Sequence, residues 1–166
     1  MLSQIPTSLK LVVFDLDDTL LKRGIDTTID IHVRDIIAYF REHGVKVSLA
    51  SMNYFAAEEL FRNKLLHMFD FVQMRKFDDE CDTLTEKQLN MGNRKDYMFR
   101  RILKASNIPP KNSILFDDNL LHVWEARKMG MKAILVQNEK CIRWSDIIQG
   151  IHIFRAGKNR RKSCQF

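Results

Sequence analysis

Residues 9–19 read Leu-Lys-Leu-Val-Val-Phe-Asp-Leu-Asp-Asp-Thr, and the fold follows from the junction between the apolar and acidic parts of this stretch. The apolar run Leu9–Phe14 predicts a short buried strand. Where that strand ends, Asp15 and Asp17 bring two carboxylates, one residue apart, to the same edge of a sheet. Like charges held this close destabilise a fold unless a cation or a shared proton offsets them, and a metal-dependent site can use such a pair as nucleophile and acid/base. The alternative is a helix N-cap or an Asx turn, because Asp is common where strands lead into helices.

Strand-like and helix-like segments alternate along the rest of the chain. Further strands are predicted at Val45–Ala50, Phe69–Met74, Ser113–Phe116 and Lys132–Val136. Helices are predicted from Ile29 to the His43-Gly44 cap, over Phe55–Met68, from Asn93 to near Asn107, over Leu120–Met129 and over roughly Arg143–Phe154. The second helix is expected to turn Phe55, Leu60, Phe61 and Leu65 toward the core. This alternation predicts an α/β protein, a three-layer α/β/α Rossmann-like parallel sheet with helices on both faces.

Polar side chains follow three of the predicted strands. They are Asp15 and Asp17, Ser51, and Asp117 and Asp118. Ligands of such sheets bind beyond the carboxyl ends of the strands, so we expect these groups to share one site. Four carboxylates without a His or Cys cluster suit Mg²⁺ better than zinc, and a phosphate would find donors in the Ser51 hydroxyl, backbone amides and a lysine.

Four segments then resemble the motifs of the haloacid dehalogenase (HAD) superfamily of phosphotransferases. Phe14–Leu20 resembles the first motif, Ser51 the second, Lys95 the third and Leu115–Asn119 the fourth. They occur in the order of the family and spread over most of the chain. The resemblance implies a HAD-like fold and a phosphatase, because an acid at position 17 separates phosphatases from the dehalogenase branch.

The resemblance also implies roles. Asp15 would be the nucleophile that forms an aspartyl-phosphate, and Asp17 would protonate the leaving oxygen and then activate water. Thr19 would brace the loop through its hydroxyl. The implied magnesium ligands are Asp15, the Asp17 backbone carbonyl, Asp117 and Asp118, the last directly or through water. Ser51 and Lys95 would bind the phosphoryl oxygens.

Other interpretations of these residues stay open at this point. Arg94 and Lys87 are rivals of Lys95, and a lysine early in a helix is usually solvated. Ser51 can cap the helix that follows it, and Asp118 can cap the helix after the fourth motif. Two further residues, His122 and Trp124, are expected on helix faces and have no assigned role.

The spacing of the motifs leaves no room for a cap domain. Only 31 residues separate Thr19 from Ser51, and 43 separate Ser51 from Lys95. We therefore expect an open site that admits a phosphate on a macromolecule or on a small ligand, with Met52–Tyr54 at its mouth. Among capless members the chain is most similar to the magnesium-dependent phosphatase group, linked to protein phosphotyrosine and phosphorylated sugar adducts. It departs from that group at Ala50–Asn53, where an arginine-containing loop is expected.

Composition and charge bound the remaining possibilities. The 166 residues predict one catalytic domain over residues 1–154 and a flexible basic tail over residues 155–166, which carries much of the net charge of +6. The tail leaves open a nucleic-acid 3′-end phosphatase, although no basic stripe accompanies the motifs, and a non-catalytic HAD-like module that binds a partner is a further alternative. Three scattered cysteines, no signal peptide and no membrane-spanning run predict a cytoplasmic or nuclear protein.

Overall fold

The computed structural model describes residues 4–22, 29–76, 92–137 and 141–159. These residues form one sheet of five parallel strands in the spatial order β3-β2-β1-β4-β5. The strands are β1 (Leu11–Phe14), β2 (Lys46–Ser51), β3 (Phe71–Met74), β4 (Ser113–Asp117) and β5 (Lys132–Leu135). The predicted parallel sheet is confirmed, and β1 with its acidic continuation lies at the centre.

Helices cover both faces of the sheet. They are α1 (Ile31–Glu42), α2 (Ala56–Arg62), α3 (Asp96–Ser106), α4 (Leu120–Lys128) and α5 (Trp144–Asn159). Side chains alternate along β1, so that Val12 and Phe14 join the core under α1, α2 and α5, whereas Leu11 and Val13 join the core under α3 and α4. The arrangement is the predicted α/β/α sandwich.

The core beneath α5 is closely packed around two phenylalanines. Phe14 stacks on Phe116 of the neighbouring strand, with the ring centroids 5.6 Å apart. A Cβ added to Gly150 of α5 would lie 2.7 Å from the ring of Phe116. A side chain at this position would therefore push α5 away from the sheet.

The second helix is shorter than its sequence pattern predicts. It ends at Arg62, and Lys64 adopts a left-handed φ of 55° before a short 3₁₀ turn. Leu60 and Leu65 are buried as expected, but Phe55 and Phe61 are 59% and 72% exposed, so their prediction as core residues is wrong. Because α2 rests on the sheet through Ala56 and Leu60, the positions next to these two residues point away from it.

The last helix continues beyond Phe154, where the sequence pattern placed its end. It reaches Asn159, and Arg155 donates a hydrogen bond to the carbonyl oxygen of Gln4. The predicted domain boundary after residue 154 thus falls inside a helix, while residues 160–166 of the predicted tail lie outside the described residues. The extent of the catalytic domain and the flexibility of the tail stay predictions.

No cap covers the strand ends in the part of the chain that the structure describes. Residues 52–76 form α2, the 3₁₀ turn and β3, all of which belong to the sandwich. The sequence of residues 76–92 is polar and weakly patterned, and residues 77–91 lie outside the described residues. Within the described ranges, no helix is both long enough and apolar enough to cross a bilayer.

Candidate active site

Three neighbouring strands deliver polar side chains to one edge of the sheet. In the strand register, Phe14 lies opposite Leu49 of β2 and Phe116 of β4. Asp15 therefore follows β1 between the last residues of its neighbours, Ser51 and Asp117. The Asp15 N–H donates to the carbonyl oxygen of Phe116 at 3.0 Å, which fixes the start of the acidic loop against β4.

Lys95 reaches the same edge from the N-terminus of α3. Its side chain is 1% exposed, and Nζ lies 2.5 Å from Asp15 Oδ1 and 2.8 Å from Asp117 Oδ2. The rival Arg94 is half-exposed and pairs with Glu125 and Asp96. The other rival, Lys87, lies outside the described residues. The structure thus brings Lys95, rather than Arg94, into contact with the two aspartates.

The three groups hold two carboxylates and one cation in a space shielded from water. Burial raises the pKa of Asp15 to about 7, helped by Asp117, although Lys95 acts in the opposite direction. Burial also opposes the charged form of Asp117, but Lys95 and His122 outweigh it and lower the pKa of that carboxyl. The two aspartates outweigh the burial of Lys95 and raise its pKa. The cluster therefore carries an excess of negative charge that a further cation would offset.

Asp118 completes a group of three carboxylates that a metal ion would fit. Ligand oxygens of Asp15, Asp117 and Asp118 lie within 4.8 Å of one another. The helix-cap alternative for Asp118 is excluded, because Asn119 caps α4 by accepting the Leu121 N–H at 2.9 Å. Partial burial and the charge of Asp117 raise the pKa of Asp118. An all-oxygen donor set with excess negative charge suits Mg²⁺.

Asp17 lies on the other side of the acidic loop. It is half-buried, and its Oδ1 accepts a hydrogen bond from Asn53 Nδ2 at 3.4 Å. The carbonyl oxygen of Leu16 accepts the N–H groups of the three residues that follow Asp18, at 2.8 to 3.3 Å. The Thr19 hydroxyl, predicted to brace this loop, is buried and bonds to none of the described residues. The bracing runs through the backbone instead, where the Thr19 carbonyl accepts the Ile142 N–H at 2.8 Å.

Ser51 ends β2 and starts the turn into α2. Its hydroxyl is buried and accepts the Asn53 N–H at 3.1 Å, and Asn53 Oδ1 in turn accepts the Phe55 N–H at 2.8 Å. The N-cap of α2 is Phe55, so the alternative that Ser51 caps this helix is excluded. Ser51 stands on the strand beside Asp15, as the strand-end argument predicts.

Two buried residues of α4 were missed by the sequence analysis. His122 Nδ1 lies 3.1 Å from Asp117 Oδ1, and Glu125 accepts the backbone N–H of Lys95 at 2.9 Å. Their spacing of three along the predicted helix after Asp118 places them on one face and is the signal that could have found them. Trp124, which lies between them, is 51% exposed and faces away.

Comparisons with known proteins agree with this geometry. The family model described as Acid Phosphatase matches residues 22–157, a range that begins just after the acidic loop. No curated protein sequence matches the chain.

Solved structures share the fold at low sequence identity. A protein from Listeria monocytogenes is 14% identical with a TM-score of 0.67, covering 89% of this chain and 99% of its own. A HAD-family enzyme from Bacteroides thetaiotaomicron, solved with magnesium and inorganic phosphate, is 13% identical with a TM-score of 0.63, covering 84% and 98%. A haloacid dehalogenase-like hydrolase from Streptococcus pneumoniae is 10% identical with a TM-score of 0.61, covering 87% and 92%.

The family model spans most of the chain, and the parallel sheet with helices on both faces is the fold that the HAD resemblance implies. The chain therefore belongs to the acid phosphatase family of HAD-like phosphatases.

Proposed function

We propose that this chain is a magnesium-dependent phosphomonoesterase that forms an aspartyl-phosphate on Asp15. The observation that carries the proposal is the buried Asp15 carboxylate, in contact with Lys95 and within metal-sharing distance of Asp117 and Asp118. A nucleophile attacking a phosphate dianion needs nearby positive charge. Lys95 provides one positive charge beside Asp15, and a cation held by the carboxylates would add to it.

The residues that would hold Mg²⁺ are Asp15, Asp117, Asp118 and the backbone carbonyl of Asp17. A bound Mg²⁺ ion supplies charge stabilisation for the phosphoryl oxygens and lowers the pKa of Asp15. The excess negative charge of the carboxylates supports this assignment, as does the neighbour from Bacteroides thetaiotaomicron that was solved with magnesium and inorganic phosphate.

In the first step, an Asp15 carboxylate oxygen attacks phosphorus and the bond to the ester oxygen breaks. Asp17 donates its proton to that oxygen, so an alcohol leaves and Asp15 becomes an aspartyl-phosphate. Asp17 suits this work because it is only half-buried, so water can reach it, and its carboxylate accepts a hydrogen bond from Asn53.

In the second step, Asp17 takes a proton from water and the resulting hydroxide attacks phosphorus. The bond between phosphorus and Asp15 breaks, inorganic phosphate is released, and the Asp15 carboxylate is regenerated. Lys95 would bind a phosphoryl oxygen and weaken the repulsion between the substrate and Asp15, and the Ser51 hydroxyl would donate to another oxygen.

The surroundings of the site support a phosphate presented from outside, on a phosphoprotein or a phosphorylated sugar adduct. The loop Ala50–Asn53 lacks arginine, but Arg75 follows β3 at the same edge and its N–H donates to the Ser51 carbonyl at 3.0 Å. Its guanidinium lies 5.2 Å from the centre of the Tyr54 ring. An aromatic ring and a cation beside an open site favour an aryl phosphate such as phosphotyrosine.

The test is hydrolysis of a generic aryl phosphate with magnesium and with a chelator, followed by phosphotyrosyl peptides, sugar phosphates and phosphorylated oligonucleotides. We expect turnover that requires magnesium, with Asp15→Asn and Asp17→Asn inactive and the exposed Asp35→Asn on α1 unchanged. Turnover by both site variants at the wild-type rate would contradict the mechanism. The highest kcat/KM on oligonucleotides would favour a nucleic-acid end phosphatase. A protein that turns over none of these substrates, and whose melting temperature does not change with magnesium, would favour a binding module.

A further inference from the structure

Helix α4 holds the segment that leads into α3 at three consecutive residues. His122 Nε2 lies 3.2 Å from the carbonyl oxygen of Asn93. Glu125 uses both oxygens: Oε1 accepts from Arg94 Nε at 2.9 Å, and Oε2 accepts the backbone N–H of Lys95 at 2.9 Å. We call His122 and Glu125 the α4 clasp. Through these two residues, α4 contacts both Asp117 and the backbone of Lys95.

The carboxylate of Glu125 replaces a cap that α3 does not have. Lys95 is the N-cap residue of this helix, and an ammonium group cannot accept the N–H groups that Ser, Asp or Asn would accept there. In a capping box, a Glu inside the helix accepts the N–H of the N-cap residue. Glu125 makes that same bond from a different helix, which leaves the Lys95 side chain available for Asp15 and Asp117.

Burial makes Glu125 a costly residue for an ordinary structural contact. It is 3% exposed, and a buried carboxylate destabilises a fold unless donors or positive charge compensate it. Here the guanidinium of Arg94, the N–H of Lys95 and the positive end of the α3 dipole provide that compensation. All of these partners belong to the segment that carries the site lysine.

The backbone of Lys95 must be held in one position if its side chain is to act on a phosphoryl group. A buried lysine loses about 1.5–2 kcal/mol of rotamer entropy, so its placement depends on a backbone that does not move. An error of about 1 Å in the position of a reacting group can cost about a hundredfold in rate. With Nζ in contact with Asp15 at 2.5 Å, a shift of the Lys95 backbone would be transmitted directly to the nucleophile.

We propose that Glu125 is a positioning residue for catalysis, acting through Lys95. It fixes the Lys95 backbone so that Nζ meets Asp15 and the phosphoryl group, and His122 supports it by holding Asn93 and Asp117. This inference rests on the proposed phosphatase mechanism, because it assigns Glu125 to the same reaction.

A double-mutant cycle tests the proposal. Glu125→Gln keeps the size of the side chain and one acceptor oxygen but removes its charge, and we expect kcat/KM on an aryl phosphate to fall about tenfold or more. In a Lys95→Met background the same change should have little further effect, because the residue through which Glu125 acts is gone. Equal fold-losses in both backgrounds would overturn the positioning role.

A matched control separates positioning from stability. Ser48→Ala on β2 removes the buried hydrogen bond to the Phe71 carbonyl, 2.9 Å long, without touching the site. This variant should lose melting temperature but keep kcat/KM. If Ser48→Ala lowers kcat/KM as much as Glu125→Gln does at a similar loss of melting temperature, the proposal is wrong.

Binding of inorganic phosphate gives a measurement that does not depend on turnover. In magnesium, the phosphate concentration that half-saturates the rise in melting temperature should increase about tenfold in Glu125→Gln and stay unchanged in Ser48→Ala. If Glu125→Gln does not fold, Arg94→Gln is measured in its place. Loss of the half-exposed Arg94 guanidinium frees one oxygen of the Glu125 carboxylate and disturbs the core less. Unchanged phosphate affinity in the folded variant overturns the positioning role. A wild-type protein without turnover overturns the phosphatase mechanism instead.

Discussion

The two sides of the strand-end site differ in how firmly their side chains are held. On the side of β1 and β4, which we call the rigid side, Asp15, Lys95 and Asp117 are buried. The carboxylate of Asp117 contacts Lys95, His122 and the Asn119 N–H. On the side of β2 and β3, which we call the open side, the residues after Ser51 are only half-buried, the Asn53 side chain contacts Asp17 at 3.4 Å, and Phe55 is exposed. In the proposed mechanism this difference separates chemistry from substrate selection. The proposed nucleophile Asp15 and its partner Lys95 are fixed before a substrate arrives, whereas the groups that would meet the rest of the substrate are more accessible.

The largest effect is expected when the buried cation of the rigid side, Lys95, is removed. Lys95→Met leaves Asp15 and Asp117 buried together without their shared ammonium. Breaking a buried ion pair costs about 3–5 kcal/mol, so we expect a large loss in the free energy of unfolding measured with urea in the presence of a chelator. Loss of a charged group at the reacting centre should also lower kcat/KM about 100- to 1,000-fold.

The matched control for this variant is Lys104→Met, an exposed lysine on the same helix. It should leave both the stability and kcat/KM close to wild type. A Lys95→Met protein with wild-type activity would show that the buried lysine serves the fold alone.

The rigid side could be predicted from the sequence only in part. Asp15, Ser51 and Asp117 follow from the rule that parallel strands end at one edge, and the family motifs added Lys95. The spacing of His122 and Glu125 places them on one helix face, but it does not reveal their contacts with Asn93 and Lys95, which lie about 30 positions earlier. Only the packing of α3 against α4 brings these residues together. On the open side the helical period placed Phe61 in the core, because the sequence does not reveal that α2 rests on the sheet through Ala56 and Leu60, which turns Phe61 outward.

A second prediction concerns pH and follows from the excess negative charge. In metal-free protein, burial raises the pKa of Asp15 from 3.8 to about 7, so the folded state holds this proton more tightly than the unfolded state. The contribution of Asp15 to stability is therefore lost as pH rises from about 4 through about 7. Magnesium competes with that proton, so the rise in melting temperature caused by magnesium should be larger at pH 8 than at pH 5.5.

Melting curves with magnesium and with a chelator at the two pH values measure this effect. Asp15→Asn, which cannot ionise, should lose most of the difference between them. An equal magnesium effect at both pH values in the wild type would count against metal binding by Asp15.

A smaller effect is expected where the two sides meet. Ser51→Ala removes one hydrogen bond to a charged phosphoryl group, worth about 1.5–3 kcal/mol, and should lower kcat/KM by roughly ten- to a hundredfold. Ser48→Ala, on the same strand but bonded to the Phe71 carbonyl, controls for loss of a buried hydroxyl. If the two variants lose the same amount of activity, the Ser51 hydroxyl serves the structure of β2 and does not bind the phosphoryl group.

The smallest effect belongs to the open side, where only part of the substrate would make contact. The guanidinium of Arg75 lies over the ring of Tyr54, and both residues are half-buried. A cation–π contact that is still partly solvated is worth about 0.5–1 kcal/mol. Arg75→Ala should therefore raise KM for phosphotyrosyl peptides by about two- to fivefold and leave kcat unchanged. Arg62→Ala, an exposed arginine on α2, is the control. Because a small aryl phosphate does not extend beyond the rigid side, its KM should change less than that of the peptide. A fall in kcat on both substrates would instead show that Arg75 acts in the chemical step together with the groups of the rigid side. The same side chains would then determine both substrate selection and reaction rate.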